Sequence, residues 1–161
     1  MWWDLQDDSN KNITRNLVKN GQLEFVNGGW AAHDEACNTY QDMIANMMIG
    51  HNFILNEFGE HAIPKIGWSI DSFGHSLTNA KLLSQLGYDA LFFARVDDDE
   101  RKWRKENKQL EFIWKTSKNS EIFTHIFNKH YSGPDILIDS IIPDNKIVDI
   151  KKKLLDFIEE N

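Results

Sequence analysis

Two short apolar runs constrain this chain more than any other feature of it. Lys65-Ile66-Gly67-Trp68-Ser69-Ile70 stops at Asp71, and Tyr88-Asp89-Ala90-Leu91-Phe92-Phe93-Ala94-Arg95-Val96 follows one helix length later. Mostly apolar runs of this length fit strands buried on both faces, as in parallel sheets. Between them Ser76 opens a helix over Leu77 to Leu86, with Ala80, Leu83 and Leu86 on its inner face and Gly87 as its stop. Strand, helix, strand in that order implies a right-handed crossover and a parallel sheet or barrel. In such folds chemistry collects beyond the carboxyl ends of the strands, which here means Asp71 and Arg95.

The flanking sequence extends the same pattern. Leu23-Glu24-Phe25-Val26 reads as a strand closed by the turn Asn27-Gly28-Gly29. Asp34 is placed to cap a long helix with Ala36, Tyr40, Met43, Ile44, Met47, Met48, Ile54, Leu55 and Phe58 on its buried face. The methionines read as core gap-fillers. Gly59 ends that helix and Pro64 starts the next element. Residues 97–106 are charged almost throughout and read as a solvated helix with i,i+4 pairs. Leu110 to Trp114 reads as one more strand, and Lys146 to Glu159 has helical spacing. No repeat or linker interrupts this α/β piece, though the pattern weakens after about residue 115.

Composition narrows the classes of function. The chain of 161 residues is long enough for one domain with a sizeable core. Its net charge of −7 opposes phosphate backbones and anionic membranes, so neither nucleic acid nor a membrane is expected as a partner. No apolar run approaches the roughly 20 residues that span a bilayer. The opening Met1-Trp2-Trp3-Asp4 shows no signal-peptide pattern. The single cysteine, Cys37, excludes an internal disulfide and reads as a small buried apolar residue. Six tryptophans are many for this length; they pack a core or offer flat faces to sugar C–H groups.

The stretch Gly67-Trp68-Ser69-Ile70-Asp71-Ser72-Phe73-Gly74-His75-Ser76 is the most informative. A carboxylate after a buried strand can be a nucleophile, a base or a hard-metal ligand, or can simply accept from backbone N–H groups in the turn. His75 has a similar choice between metal, proton transfer and holding backbone. His33-Asp34-Glu35 has metal-site composition, but consecutive residues at a helix start do not face one point. No phosphate loop, serine elbow or CxxC pair is present.

These residues carry a resemblance. Gly21 to Trp30, Asp34-Glu35-Ala36 and Trp68 to Ser76 resemble the α-mannosidases of glycoside hydrolase family 38, and the lysosomal branch most closely. Trp2-Trp3, Phe92-Phe93-Ala94-Arg95, Leu110-Glu111-Phe112-Ile113-Trp114 and Phe123-Thr124-His125 match the family in the same order. Ser72 departs from it, standing where the family usually has proline. The resemblance implies a retaining, zinc-dependent α-mannosidase acting on oligosaccharides, built on a seven-stranded parallel β/α barrel. Asp71 would be both nucleophile and zinc ligand; Phe73, Arg95 and Tyr131 would line the sugar site. A carboxylate suits this role because it can attack the anomeric carbon and form a covalent glycosyl intermediate.

The family's His-x-Asp zinc motif lies ahead of the position matched by Trp2-Trp3. A further zinc histidine and the acid/base aspartate lie past that of Asn161. Residues 1–161 are therefore expected to be part of a catalytic domain, inactive alone, with the remainder of a mannosidase chain as partner. The alternative is a truncated carbohydrate-binding or interaction paralogue without catalysis. A polysaccharide deacetylase is a third reading, which the Trp68–Ser76 motif opposes. The resemblance implies a lysosomal or secretory location, to which the sequon Asn12-Ile13-Thr14 adds little.

Overall fold

A computed structural model describes residues 2–131, together with Lys152 and Leu155. The elements run α1 (Asp8–Lys19), α2 (Tyr40–Phe58), β1 (Ile66–Ser69), α3 (Leu77–Gln85), β2 (Ala90–Phe93), α4 (Asp98–Glu106), β3 (Glu111–Ser117) and β4 (Ser120–Ile126). The strands form one sheet in the order β1-β2-β4-β3. β1 pairs with β2, and β2 with β4, in parallel; β3 and β4 form an antiparallel hairpin. The fold is therefore mixed α/β with a mostly parallel sheet.

The crossover expected from the two apolar runs is present. Ser76 caps α3 by accepting from the Asn79 N–H, as a serine oxygen at a helix start does. Ala80 and Leu83 are fully buried and pack with Leu91, Phe93, Ile122 and Ile126. Gly67 lets α3 lie close on the sheet, because a Cβ there would stand 2.8 Å from Leu83 Cδ1. Burying one such leucine stabilises the fold by about 1.5–3 kcal/mol. Among the described residues the sheet is covered on this face only. Trp68 and Phe123 stand on the opposite face and are more than a third exposed, so β1 is not the doubly buried strand its sequence suggests. Leu86 also lies outside the core, at 42% exposure; α3 ends at Gln85 and Leu86 is its C-cap residue.

The N-terminal region departs most from the sequence pattern. Leu23 to Val26 is not a strand. The turn behind it docks on β1 through one backbone bond, Asn27 N–H to the Ile66 carbonyl (2.8 Å), so no ladder forms; of the apolar run only Phe25 packs in the core, and Leu23 and Val26 are exposed. α2 begins at Tyr40 rather than near Ala36, since Thr39 and Asp42 form a capping box. Asp34 caps only a turn, accepting from the Ala36 and Cys37 N–H groups. The buried stripe of α2 is Met43, Met47, Gly50, Ile54 and Phe58. Tyr40, Ile44, Met48 and Leu55 are exposed, and so is Cys37. Gly50 is needed where α2 meets the turn: a Cβ would sit 2.1 Å from the Gly28 carbonyl oxygen.

α1 has no counterpart in the sequence reading; it packs Val18 beside Trp3, Ile54, Phe58 and Ala62 in a second cluster. β4 was likewise not anticipated. The helix expected over 146–159 lies outside the described residues, apart from Lys152 and Leu155, which are helical. No helix among the described residues is long and apolar enough to cross a membrane.

Candidate active site

The carboxyl ends of β1 and β2 are neighbours in the sheet, with Ser69 opposite Phe93 in the register. Asp71 and Arg95 each lie two residues past those positions, so the parallel pairing brings them together. Arg95 Nε donates to Asp71 Oδ1 at 2.7 Å and Arg95 Nη2 to the same oxygen at 2.5 Å. The Tyr131 hydroxyl donates to Asp71 Oδ1 at 3.1 Å and accepts from Arg95 Nη2 at 3.3 Å. Phe73 lies under the Arg95 guanidinium, 5.0 Å from it, and the Tyr131 ring at 5.7 Å. All four residues singled out in the sequence thus meet around one carboxylate, including Tyr131, 60 residues away along the chain.

This cluster is open to solvent: the side chains of Arg95 and Asp71 are 37% and 59% exposed and Phe73 is 76% exposed. The hydrogen bonds from Arg95, then that from Tyr131, hold the Asp71 carboxyl below the usual carboxylate range; the Arg95 and His130 charges act in the same sense. Asp71 is therefore a fixed carboxylate, ionised at any neutral pH. All three donors fall on Oδ1, and Oδ2 takes none of them.

Behind the open cluster lies a buried one. His75 Nε2 donates to the Arg95 carbonyl at 3.0 Å, and His75 Nδ1 meets Glu35 Oε1 at 3.2 Å. Glu35 Oε2 accepts from the Ser76 N–H at 2.6 Å. The His75 ring stacks on Phe93, with centroids 3.9 Å apart. Of the choices open to His75, the structure gives it the backbone-holding one.

His33-Asp34-Glu35 is not a metal cluster. His33 lies between Asn79 Oδ1 (2.9 Å) and Asn46 Nδ2 (3.2 Å), Asp34 caps its turn, and Glu35 faces His75. Among the described residues no three His, Cys, Asp or Glu side chains gather as a metal site. Zinc takes three or four protein ligands; the exposed Asp71 carboxylate fits as one of them, and the described residues do not supply the rest.

The sequence reading missed the part played by Glu35 and Arg101. Arg101, assigned to a solvated helix, donates to the Ala94 carbonyl (2.5 Å) and the Phe127 carbonyl (2.6 Å). The remaining charges of α4 do behave as a surface, with Arg104 and Glu100 paired at 2.8 Å. A buried carboxylate looks like a surface one in sequence, so Glu35 stood out only through the Asp34-Glu35-Ala36 match and the composition of His33-Asp34-Glu35, neither of which points to His75.

An acid held by an arginine and a tyrosine past the ends of parallel strands can act as a nucleophile, a base or a metal ligand. Residues 1–160 match the family model described as "Glycosyl hydrolases family 38 N-terminal domain", and the chain belongs to that family. It is 44% identical over 137 residues to a lysosomal alpha-mannosidase of Dictyostelium discoideum, covering 83% of this chain and 13% of that protein. An alpha-mannosidase of Arabidopsis thaliana is 48% identical over 139 residues, again 83% of this chain and 13% of the relative. The fold is similar to the crystal structure of an alpha-mannosidase from Enterococcus faecalis V583, with a TM-score of 0.64 at 20% identity, over 94% of this chain and 16% of that one. The chain spans about one seventh of the length of the curated relatives it matches.

Proposed function

We propose that this chain supplies the nucleophile and one wall of the sugar site of a retaining α-mannosidase. Membership of the family supports mannoside hydrolysis as the reaction class. The observation that carries the specific reading is the Asp71–Arg95–Tyr131 cluster. A nucleophilic carboxylate must be ionised and aimed, and here two donors fix one oxygen while the other takes none of their bonds. Oδ2 attacks the anomeric carbon of a terminal α-mannoside, the glycosidic oxygen leaves with a proton from a second carboxyl group, and water later releases the sugar. Arg95 and Tyr131 keep Asp71 charged and stop it rotating. Phe73 offers a flat apolar face to the sugar ring.

The second carboxyl group of a retaining pair stands about 5–5.5 Å from the first, and in this reading it comes from the remainder of the barrel. The same holds for the zinc ligands other than Asp71; zinc would act as a Lewis acid toward the sugar hydroxyls. The seven-stranded barrel, the lysosomal or secretory location and oligosaccharide substrates belong to the same proposal.

The test is a graft. This chain replaces its matched segment in the Dictyostelium enzyme, and hydrolysis of an aryl α-mannoside is measured with zinc present. The graft is expected to hydrolyse the glycoside, and the isolated chain is expected to do no better than its own Asp71→Asn variant. A graft that folds but is inactive would favour a binding or interaction role without chemistry.

A further inference from the structure

We propose that Glu35 and His75 are positioning residues, which set the direction of the Arg95 guanidinium toward Asp71 by fixing the Arg95 peptide. The functional meaning of this rests on Asp71 being the nucleophile; the structural claim does not.

Asp71 and His75 belong to one loop, between β1 and α3, while Arg95 sits at the end of β2. The two halves of the open ion pair are therefore on separate segments. An exposed contact between them does little to hold the segments in register, since exposed pairs contribute little net stability after the side-chain entropy they cost. The buried contacts can. Through Nε2, the Asp71 loop grips the carbonyl of Arg95 itself. Through its two oxygens, Glu35 grips that loop twice, at His75 Nδ1 and at the Ser76 N–H. Phe93 closes the ring's face. The Arg95 backbone is then held on both sides, because Arg101 takes the preceding Ala94 carbonyl.

Proton accounting fixes the direction of each bond. The Arg95 carbonyl can only accept, so Nε2 carries a proton. Glu35 Oε2 accepts from a backbone N–H, and Oε1 faces Nδ1, so one further proton lies in the Nδ1–Oε1 contact. The side chains of His75 and Glu35 are 8% and 2% exposed, so a lost partner leaves a largely desolvated polar group behind. Glutamine at position 35 could donate its amide to Nδ1, accept from Ser76 with its oxygen, and leave the Nε2 proton where it is. Alanine could do none of these.

The experiment uses the purified chain and needs no substrate. In 1H–15N spectra the Arg95 Nε–H signal, assigned by its loss in Arg95→Lys, reports the bond to Asp71. Histidine side-chain spectra report which nitrogen of His75 is protonated. His75 is expected to carry a proton on Nε2. In Glu35→Ala and His75→Phe the Arg95 Nε–H is expected to exchange about tenfold faster or vanish, and in Glu35→Gln to return to its original behaviour. A merely structural role would lower stability and leave the Arg95 signal unmoved in the folded variants, and that result overturns the proposal. If His75→Phe does not fold, the Glu35→Gln and Glu35→Ala pair decides: equal Arg95 signals in the two overturn it, as does a His75 bearing its only proton on Nδ1. A failed graft with these signals as expected would remove the mannosidase reading and leave the positioning claim standing.

Discussion

Two acid–base contacts sit at the same end of the sheet and are built in opposite ways. Glu35 and His75 are 2% and 8% exposed, reach their partners from three directions, and lie against Phe93. The side chains of Asp71 and Arg95 are 59% and 37% exposed and meet each other, Tyr131 and the rim aromatic Phe73. Burial makes the first pair costly to disturb and chemically silent. Exposure leaves the second pair weak as a brace and open to a ligand. Precision at the open site is thus imposed from the buried one, the usual relation between reacting groups and the residues that support them.

That division of labour can be broken from either side. Replacing Asp71 by Asn in the graft removes a nucleophile and should lower aryl α-mannoside hydrolysis by a factor of about 10³ or more. The same substitution in the isolated chain should lower its chemical-denaturation midpoint only slightly, because the Asp71 contacts are exposed. The reverse pattern is expected inside: Glu35→Ala leaves an imidazole and a backbone N–H without their acceptor, and should cost about 2–4 kcal/mol in urea unfolding. Leu83→Ala, in the core that carries both sites, should cost about 2–5 kcal/mol by the same measurement, without altering the Arg95 signal.

A smaller effect separates the two ends of the molecule by pH. His51 donates to the Tyr88 hydroxyl (2.8 Å), which in turn donates to the Asn27 carbonyl, and partial burial with the nearby Lys65 charge holds His51 below its ordinary value of about 6.5. The unfolded chain then binds a proton that the folded one resists, so stability is full above that value and falls as the pH drops through it. His51→Gln should flatten the fall in thermal midpoint between about pH 7 and 5. Asp71 acts in the same direction lower down: its carboxyl is depressed in the fold, so its contribution fades only as the pH falls through the acidic range. The smallest effect is expected of Tyr131→Phe, which removes one of three bonds to Asp71 Oδ1 and should raise the Asp71 titration midpoint slightly by NMR.

The legible parts of the sequence were those with local physical signatures. Ser76, Gly87 and the apolar runs marked β1, α3 and β2, because caps, stops and unbroken hydrophobicity act over a few residues. Their crossover then put Asp71 and Arg95 side by side. Tyr131 came from the family resemblance and not from spacing. Leu23 to Val26 misled because a single packed residue, Phe25, can hold an apolar stretch against the core without a strand ladder. The doubly buried reading of β1 failed because one face of the sheet is uncovered among the described residues. α1 escaped because its sequence is mostly polar, with only Val18 buried. Glu35, His75 and Arg101 were visible as residues, but Glu35 meets His75 from 40 positions away and Arg101 reaches Phe127 from 26, and no local pattern encodes that.

The central claim is that Asp71 forms the bond to the sugar. A fluorinated mannosyl fluoride that accumulates the covalent intermediate, applied to the zinc-loaded graft and followed by peptide mass spectrometry, tests it directly. The expected result is a single glycosylated peptide with the label on Asp71, absent in Asp71→Asn. A label on another carboxylate, or hydrolysis that persists in Asp71→Asn, would contradict it.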